Sequence, residues 1–199
     1  MKNKQIKVSF CLFFTFFFLF SYGIAEENKI VTNDKLLNGD FEQELKVGWQ
    51  ASSKDYAGSS EINRDKMQKN NIAHLLKDWG GYAELSQIIN LGNLNQSLSV
   101  RLNLNSTSNR EGYTATSAFI LSFLNKENKV LAEIRIAYST DKLINSPVLY
   151  NYPMAPAEWK THTLNLKDEF TKHFPKVDVN KIKKLKIAMY AYNNETSGC

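Results

Sequence analysis

The feature that most constrains the fold is a strict alternation of apolar and polar residues along residues 98–105. The apolar positions of this run are Leu98, Val100, Leu102 and Leu104, and the polar positions are Ser99, Arg101, Asn103 and Asn105. Successive side chains of a β-strand point to opposite faces of the sheet, so this pattern gives one apolar and one polar face. The run is therefore predicted to be a strand with one face in a core and the other in solvent.

Similar period-two runs recur along the chain and are separated by clusters of Asn, Gly, Ser and Asp. They cover residues 82–91, 119–123, 130–138, 159–166 and 185–192. Only residues 168–174 are predicted to form a helix, which is short and ends before Pro175. Many short strands without a helix between successive strands predict an all-β protein, and specifically an antiparallel β-sandwich.

The N-terminus has the three parts of a secretory signal peptide. Lys2, Lys4 and Lys7 precede the apolar residues 8–20, and small residues follow up to Ala25. The alternative is a membrane anchor, but the apolar run is shorter than the roughly 20 residues that a spanning helix needs. We expect a signal peptide over residues 1–25, cleaved after Ala25. The protein would then be secreted or periplasmic, with no stable membrane insertion after cleavage.

Composition limits both the domain organisation and the partners. Residues 26–34 are polar and are expected to form a flexible leader, whereas residues 35–199 contain no linker and are expected to form one domain. The three lysines of the signal peptide carry three of the five net positive charges, which leaves the remainder of the chain at +2. A charge this small predicts neither a nucleic acid nor an anionic membrane as partner.

Residues 36–49 contain two short motifs, Asn38-Gly39-Asp40-Phe41-Glu42 and Gly48-Trp49. We expect these residues to form a first strand with a sharp bend, held to the core by the two aromatic rings. The combination resembles the start of galactose-binding-like jelly-roll domains, especially the carbohydrate-binding modules of bacterial glycoside hydrolases. Residues 80–89 and 159–164 match the same family pattern. The resemblance implies a jelly roll that binds a polysaccharide or oligosaccharide, with a fused or associated catalytic domain.

The end of the chain departs from the family pattern. The family closes with a further strand that carries an Asp-Asn-Val or Asp-Asn-Ile segment and pairs beside the first strand. This sequence stops at Cys199, where that strand would begin. Either the chain is truncated, or the jelly roll lacks its closing strand and leaves the first strand without a neighbour, which is an aggregation hazard.

The resemblance also implies a structural Ca²⁺ beside the first strand. In the family its ligands are backbone carbonyls, the Glu of the opening motif and an Asp of the closing strand. Glu42 is the matching metal ligand here, and the closing Asp is absent. Calcium takes six to eight oxygen ligands, so Glu42 and carbonyls form only part of a set. Alternatively, Glu42 accepts hydrogen bonds from the backbone of its own turn.

Several polar and aromatic residues are predicted to lie on the outer faces of the strands. In residues 185–192 the inward apolar set leaves two tyrosines one pleat apart on the other face. If the strands share one sheet, its surface carries the candidate ligand-binding residues Tyr190, Tyr192, Arg101, Asn103, Glu133 and Arg135. Aromatic rings beside planar polar groups suit the C–H faces and hydroxyls of a sugar. The alternative is a solvated face whose tyrosines cover neighbouring backbone.

The sequence contains no recognisable catalytic motif. The three histidines have no metal-ligand spacing, and neither a His-Glu-x-x-His nor a Gly-x-Ser-x-Gly motif occurs. Tyr150, Tyr152 and residues 79–82 are assigned to loops, where their rings either form a second sugar platform or pack under the loop. We therefore expect a non-catalytic carbohydrate-binding module. The alternatives are a protein-interaction or adhesion domain of the same fold, and a small polysaccharide lyase or hydrolase.

Overall fold

The computed structural model describes residues 9–13, 36–67, 70–108 and 111–195, with residues 9–13 described by their backbone alone. The strands are β1 (Ser9–Phe13), β2 (Gln50–Asp55), β3 (Ser60–Met67), β4 (Asn70–Lys77), β5 (Gly81–Asn90), β6 (Ser97–Leu104), β7 (Ala115–Leu124), β8 (Val130–Ser139), β9 (Leu149–Pro153), β10 (Lys160–Asn165) and β11 (Lys184–Asn193). One helix, α1 (Leu166–His173), and a 3-10 turn (Val179–Lys181) complete the described elements. The predicted all-β class is confirmed.

The strands form two sheets that pack face to face. The five-stranded sheet has the order β10-β6-β1-β4-β3, and the six-stranded sheet has the order β2-β5-β11-β7-β8-β9. Every described strand pair is antiparallel except β8 with β9, which is parallel. One core contains buried residues of both sheets, such as Leu75, Val100, Phe119, Ile134 and Leu185. The structure is therefore the predicted antiparallel β-sandwich, and each sheet keeps an outer face.

The predicted alternation of inward and outward residues is confirmed on β6 and on β11. In β6, Leu98, Val100, Leu102 and Leu104 are buried in the core. In β11, Met189 is fully buried, whereas Tyr190 and Tyr192 lie half-buried on the opposite face. The outer face of the six-stranded sheet therefore carries the two tyrosines.

Residues 36–49 do not form the predicted first strand. They form successive turns, in which Asn38 (φ 48°) and Phe41 (φ 57°) take left-handed backbone conformations. Those conformations are incompatible with an extended ladder, which explains the error. The predicted role of the two rings is confirmed. Phe41 and Trp49 are 0% and 4% exposed, and their ring centroids lie 5.5 Å apart.

A buried glutamine on β5 holds this turn segment against the six-stranded sheet. The Leu37 N–H donates to Gln87 Oε1 at 2.7 Å, and Gln87 Nε2 donates to the Leu37 carbonyl at 3.0 Å. Gly48 has φ +84°, and a Cβ there would lie 2.6 Å from the Leu37 Cβ. Only glycine fits this close approach, so Gly48 and Gln87 together fix the opening segment.

The helix α1 covers one end of the sandwich and starts two residues before the predicted helix. The side chain of Asn165 caps it by accepting the N–H groups of Lys167 and Asp168 at 3.1 and 3.2 Å. Phe170 packs its ring edge-on against Phe123, with centroids 5.0 Å apart. The helix is therefore attached to the core by an aromatic contact.

β1 lies inside the predicted signal peptide and occupies a central position of the five-stranded sheet, between β4 and β6. The predicted cleavage site after Ala25, the leader 26–34 and Cys199 lie outside the described residues. Within the described ranges, no helix has the length and hydropathy of a membrane span.

Candidate functional site

The candidate site is the outer face of the six-stranded sheet, and we call it the tyrosine face. Its functional side chains are Tyr82 and Glu84 of β5, Lys186, Tyr190 and Tyr192 of β11, and Glu133 and Arg135 of β8. The strand register places Tyr192 opposite Tyr82, and Tyr190 opposite Glu84. Residues directly opposite each other lie on the same face of a sheet, so three tyrosines of two neighbouring strands share one surface.

The three tyrosine rings are nearly parallel. Tyr190 is in the middle, with its centroid 5.9 Å from that of Tyr82 at an interplanar angle of 22°. The centroid of Tyr192 lies 6.3 Å from that of Tyr190 at an angle of 9°. Burial, followed by the proximity of Tyr192, raises the pKa of Tyr190 to about 12. Its phenol is therefore a neutral hydrogen-bonding group at physiological pH.

An ion pair flanks the rings on one side. Lys186 Nζ lies 2.8 Å from Glu84 Oε1 and 2.9 Å from Glu84 Oε2, and the Ser86 hydroxyl donates to Glu84 Oε1 at 2.9 Å. The Lys186 and Glu84 side chains are 29% and 19% exposed. The pair is thus partly accessible from solvent while its charges offset each other.

A second ion pair lies two strands away, on β8. Arg135 Nε and Nη2 both approach Glu133 Oε1 at 2.6 Å, and the Ser122 hydroxyl donates to Glu133 Oε2 at 2.8 Å. The two nitrogen contacts fix the plane of the guanidinium beside the carboxylate. Lys186 and Arg135 therefore each have a carboxylate partner on the tyrosine face. The register places a third cation, Lys54, opposite Tyr82 on the same face, and its Nζ lies 4.9 Å from the centroid of the Tyr56 ring.

Small residues separate the tyrosines from β8 and form a floor that is at most 7% exposed, because Leu143 and Tyr190 pack over it. Tyr190 lies opposite Ala118 of β7, and Ala118 lies opposite Ala137 of β8. Ala118, Ile120, Ala137 and Ala188 form a buried apolar cluster on this side, and Leu143 packs against it together with Tyr190. With strands about 4.8 Å apart, the floor extends roughly 10 Å from Tyr190 to Ala137.

The structure brings together four of the six predicted ligand-binding residues. Tyr190, Tyr192, Glu133 and Arg135 lie on the tyrosine face, in strands of one sheet. Arg101 and Asn103 do not, because β6 belongs to the five-stranded sheet on the other side of the core.

Arg101 instead contacts an aromatic ring on its own side of the sandwich. Its guanidinium lies over the Trp159 ring, with the guanidinium carbon 5.4 Å from the ring centroid. The predicted single surface is therefore split between two sheets. The prediction assumed that β6 lies in the same sheet as β8 and β11, which is wrong. The predicted outward direction of Arg101 and Asn103 on β6 is correct.

The sequence analysis missed Tyr82, Glu84 and Lys186 as part of the site. The pair Gly80-Gly81 suggested a loop that extends through Tyr82, but β5 begins at Gly81 itself. Gly81 has φ +132°, and a Cβ there would lie 1.9 Å from the Lys54 carbonyl oxygen, so only glycine can start the strand here. Tyr82 and Glu84 alternate with the inward residues Ala83 and Leu85. The period-two pattern alone could therefore have placed them on the outer face.

The predicted calcium ligand, Glu42, lies in an exposed turn away from the tyrosine face. Its N–H donates to Asp40 Oδ1 at 3.3 Å, and its carbonyl accepts Arg64 Nη1 at 2.8 Å. The Phe41 carbonyl also faces Arg64 Nη1, at 3.5 Å. A guanidinium thus contacts the carbonyls of Phe41 and Glu42, and the described residues contain no group of three or more His, Cys, Asp or Glu that could hold a metal. These donors do not fit calcium, and its presence stays a prediction without a role in the site.

Tyr150 and Tyr152 lie in β9, contrary to their predicted loop position, and pack against α1. The Tyr150 ring stacks on His173 with centroids 3.5 Å apart. The Tyr152 hydroxyl contacts the Glu169 carboxylate and lies 2.8 Å from His173 Nε2. These groups attach the helix to the edge strand, so their rings are engaged within the fold.

The histidines make stability depend on pH in the acidic range. Burial lowers the pKa of His173, with a smaller opposing effect of Glu169, and burial lowers the pKa of His162, assisted by Lys160. The unfolded chain therefore binds more protons than the folded one as the pH falls below about 6.5. We expect the free energy of unfolding, measured in urea, to be highest above pH 6.5 and to decrease from pH 6.5 to 5.

The matched variant for this prediction replaces both histidines with glutamine, which does not titrate. Its free energy of unfolding should change less between pH 6.5 and 5 than that of the wild type, whatever its absolute value. Hydrogen bonds from Ser60 and Lys77 lower the pKa of Asp55. Its protonation therefore reduces the free energy of unfolding only at pH values below the ordinary carboxyl range, outside the interval of this experiment. An equal pH dependence in the two proteins would contradict the assignment to histidine.

Comparison with known proteins gives fold-level similarity only. No protein-family model matches the chain, and no curated protein matches it. Among solved structures, the chain is similar to the enzymatically active domain of tailspike protein 4 of bacteriophage CBA120, with 13% identity and a TM-score of 0.43. That similarity covers 83% of this chain and 20% of the tailspike chain, so the chain spans about a fifth of its length.

A second similar structure is the solution structure of CtCBM11, with 11% identity and a TM-score of 0.41 over 86% of this chain and 100% of that chain. At these identities and scores, the likeness identifies neither a family nor a ligand. The galactose-binding-like assignment therefore remains a resemblance of short motifs.

Proposed function

We propose that the protein binds a neutral glycan on the tyrosine face, without catalysing a reaction on it. The observation that carries the proposal is the row of three nearly parallel rings, Tyr82, Tyr190 and Tyr192, on an outward sheet face. Aromatic rings supply a large apolar surface with a polar hydroxyl at one end. A sugar ring presents C–H groups on its faces and hydroxyls at its rim, and so matches such a surface.

The paired charges on either side of Tyr190 support a neutral ligand in the middle of the tyrosine face. Lys186 is paired with Glu84 and Arg135 is paired with Glu133, so a carboxylate on the ligand would meet an acid beside each of these cations. Paired groups can still exchange hydrogen bonds with hydroxyls, because each keeps part of its surface exposed. Both carboxylates are held by an ion pair and a serine hydroxyl, which favours a binding role over general acid–base chemistry.

The setting proposed for this function is extracellular or periplasmic. It rests on the signal-like pattern of residues 1–25, in which basic, apolar and small residues follow one another. Soluble and insoluble polysaccharides are accessible ligands there, and a separate catalytic domain is a natural associate of a glycan-binding domain.

The test is isothermal titration against a panel of neutral and acidic polysaccharides and their oligosaccharides. The double variant Tyr190→Ala plus Tyr192→Ala should weaken binding of the preferred neutral glycan by about 10–100-fold, which corresponds to about 1.4–2.8 kcal/mol for two lost ring contacts. The conservative variant Tyr190→Phe keeps the ring and should retain most of the affinity.

The matched control is Asn103→Ala, which alters a predicted site residue on the outer face of the other sheet. It should bind as the wild type does. Absence of binding to every glycan, or binding that is unchanged in the double tyrosine variant, would remove the proposal. Preference for an acidic polysaccharide would contradict the part that concerns charge.

A further inference from the structure

A cavity of about 520 Å³ lies at the β9 edge of the six-stranded sheet, and we call it the loop pocket. It is lined by β8, β9 and the loop 140–148, through residues that include Ala137, Ser139, Asp141, Asn145, Asn151 and Pro153. This volume is in the range of small-molecule sites. Ala137 and Leu143 belong both to the loop pocket and to the apolar cluster beside Tyr190, so the loop pocket adjoins the tyrosine face at the sheet edge.

The loop pocket contains a buried hydrogen-bond acceptor that has no donor. Asn151 is 6% exposed, and its Nδ2 donates to the Ile144 carbonyl at 2.9 Å and to Asn145 Oδ1 at 3.1 Å. Both partners are acceptors, so the orientation of the amide is fixed. Its Oδ1 then has no hydrogen-bond partner within the described part of the chain. A buried oxygen of this kind is costly, and a ligand donor that reaches it when the lining adjusts would recover that cost.

The other polar groups of the loop pocket include further acceptors together with the hydroxyl of Ser139. Asn145 Oδ1 accepts the Asn151 N–H at 2.7 Å, and Asp141 contributes a carboxylate at the exposed side. Hydroxyl groups satisfy such a lining, whereas a ligand carboxylate or phosphate would be repelled by Asp141. Pro153 and Met154 add apolar surface. The lining therefore matches a small neutral ligand with both hydroxyls and C–H groups.

We propose that the loop pocket holds one neutral sugar unit, the end or a branch of the glycan that lies on the tyrosine face. This inference rests on the proposed function, which supplies the remainder of the ligand. The register gives the path, since Tyr190, Ala118, Ala137 and Pro153 lie in one row across β11, β7, β8 and β9. Three strand spacings of about 4.8 Å separate Tyr190 from Pro153, a distance of roughly 14 Å. A short oligosaccharide that crosses the strands above Leu143, which covers the middle of the row, can reach both of its ends.

The first test uses monosaccharides, which engage the loop pocket without the tyrosine face. Glucose, galactose, mannose and xylose are titrated to tens of millimolar into the ¹⁵N-labelled protein. We expect one of them to shift the Asn151 side-chain amide resonances along a saturable curve. No shift of these resonances with any of the four would overturn the proposal.

The second test blocks the loop pocket in the full chain. Pro153 is exposed and lines the cavity, so Pro153→Trp fills it at little cost to folding, which a thermal melt checks. The matched control is Val148→Trp. Val148 lies in the loop 140–148 next to β9, is 50% exposed and does not line the cavity. For the longest oligosaccharide that binds, we expect about tenfold weaker affinity in Pro153→Trp and unchanged affinity in Val148→Trp.

The results separate the two proposals. If the double tyrosine variant loses affinity and Pro153→Trp binds as the wild type does, the proposed function stands and the loop pocket assignment is overturned. If the monosaccharide titration shifts Asn151 although no polysaccharide binds, the loop pocket is supported and the proposed function is removed.

Discussion

Replacing Lys77 with methionine is expected to lower the free energy of unfolding by about 3 kcal/mol, because hydrogen bonds to a charged group contribute about 1.5–3 kcal/mol each. Lys77 is fully buried, and its Nζ donates to the carbonyls of Ala57, Ser59 and Asp78 at 3.1, 3.2 and 2.7 Å. Methionine keeps most of the side-chain volume but has no donor. Three carbonyl oxygens would therefore lose their shared partner at once.

The ion pair of Lys77 adds less to this effect than its carbonyl contacts do. Nζ lies 2.9 Å from Asp55 Oδ1, but the Asp55 side chain is 39% exposed. Water can replace much of the lost ion pair at that carboxylate, so the full cost of an uncompensated buried charge does not apply. The ammonium joins the ends of β2 and β4 to the segment between β2 and β3, and β5 starts four residues later at Gly81. The same contact thus supports the start of the strand that carries Tyr82.

Urea unfolding at neutral pH measures the effect, with Lys66→Met as the control. Lys66 is exposed on β3, and its replacement should change stability by less than about 0.5 kcal/mol. Equal losses in the two variants would show that the buried ammonium is not what stabilises this junction.

The alternation of residues was sufficient to predict β5, β6, β7, β8, β10 and β11 with their inward sides, but it did not predict β1, β2, β3 and β9. Met189 and Tyr190 are neighbours in sequence, yet the period-two pattern placed the first in the core and the second outside, as the structure has them. Burial of apolar surface is a local property of each strand pattern, so it can be read without knowledge of the partner strand.

Sheet membership could not be predicted in the same way. Arg101 and Glu133 both lie on the polar faces of alternating strands, but β6 and β8 belong to different sheets. Which strands become neighbours depends on how the connections cross between the two layers, and a single strand pattern does not encode that. The structure therefore places the predicted β11 and β8 residues on one surface and the β6 residues on another, and their role in ligand binding stays a prediction.

Residues with unusual backbone conformations account for the other errors. The left-handed conformations of Asn38 and Phe41 replaced a predicted strand with turns, while both aromatic anchors of the segment were placed correctly. The positive φ of Gly81 starts a strand where a loop was predicted. In both places the side-chain pattern was informative, and the backbone geometry was decided by close contacts with other segments.

Removing residues 1–25 is expected to lower the Tm of the domain by roughly 6–12 °C, because about 3 kcal/mol shifts the Tm of a domain of this size by that amount. β1 pairs with β4 on one side and with β6 on the other. Leu75, Leu102 and Leu104, which lie opposite β1 residues, are all fully buried. Uncovering about half of the surface of these three leucines would cost about 3 kcal/mol.

The chain 26–199 is the test protein, and a peptide of residues 7–15 added in trans is the restoring agent. Without the peptide we expect binding of a hydrophobic dye and self-association, since β4 and β6 each expose an unpaired edge. With the peptide the Tm should rise, and a peptide with Cys11→Pro should have a smaller effect, because proline cannot donate to the ladder.

A chain 26–199 that melts at the same temperature with and without the peptide, and binds no dye, would contradict this prediction. In that case β4 and β6 would have to pair directly, and the five-stranded sheet would have four strands in the processed protein. Residues 9–13 lie in the predicted signal peptide, and the structure has them as a central strand. A protein from which the signal peptide has been cleaved does not contain this strand. If export removes these residues, the position between β4 and β6 must be closed or filled by another strand, and the peptide experiment distinguishes the two cases.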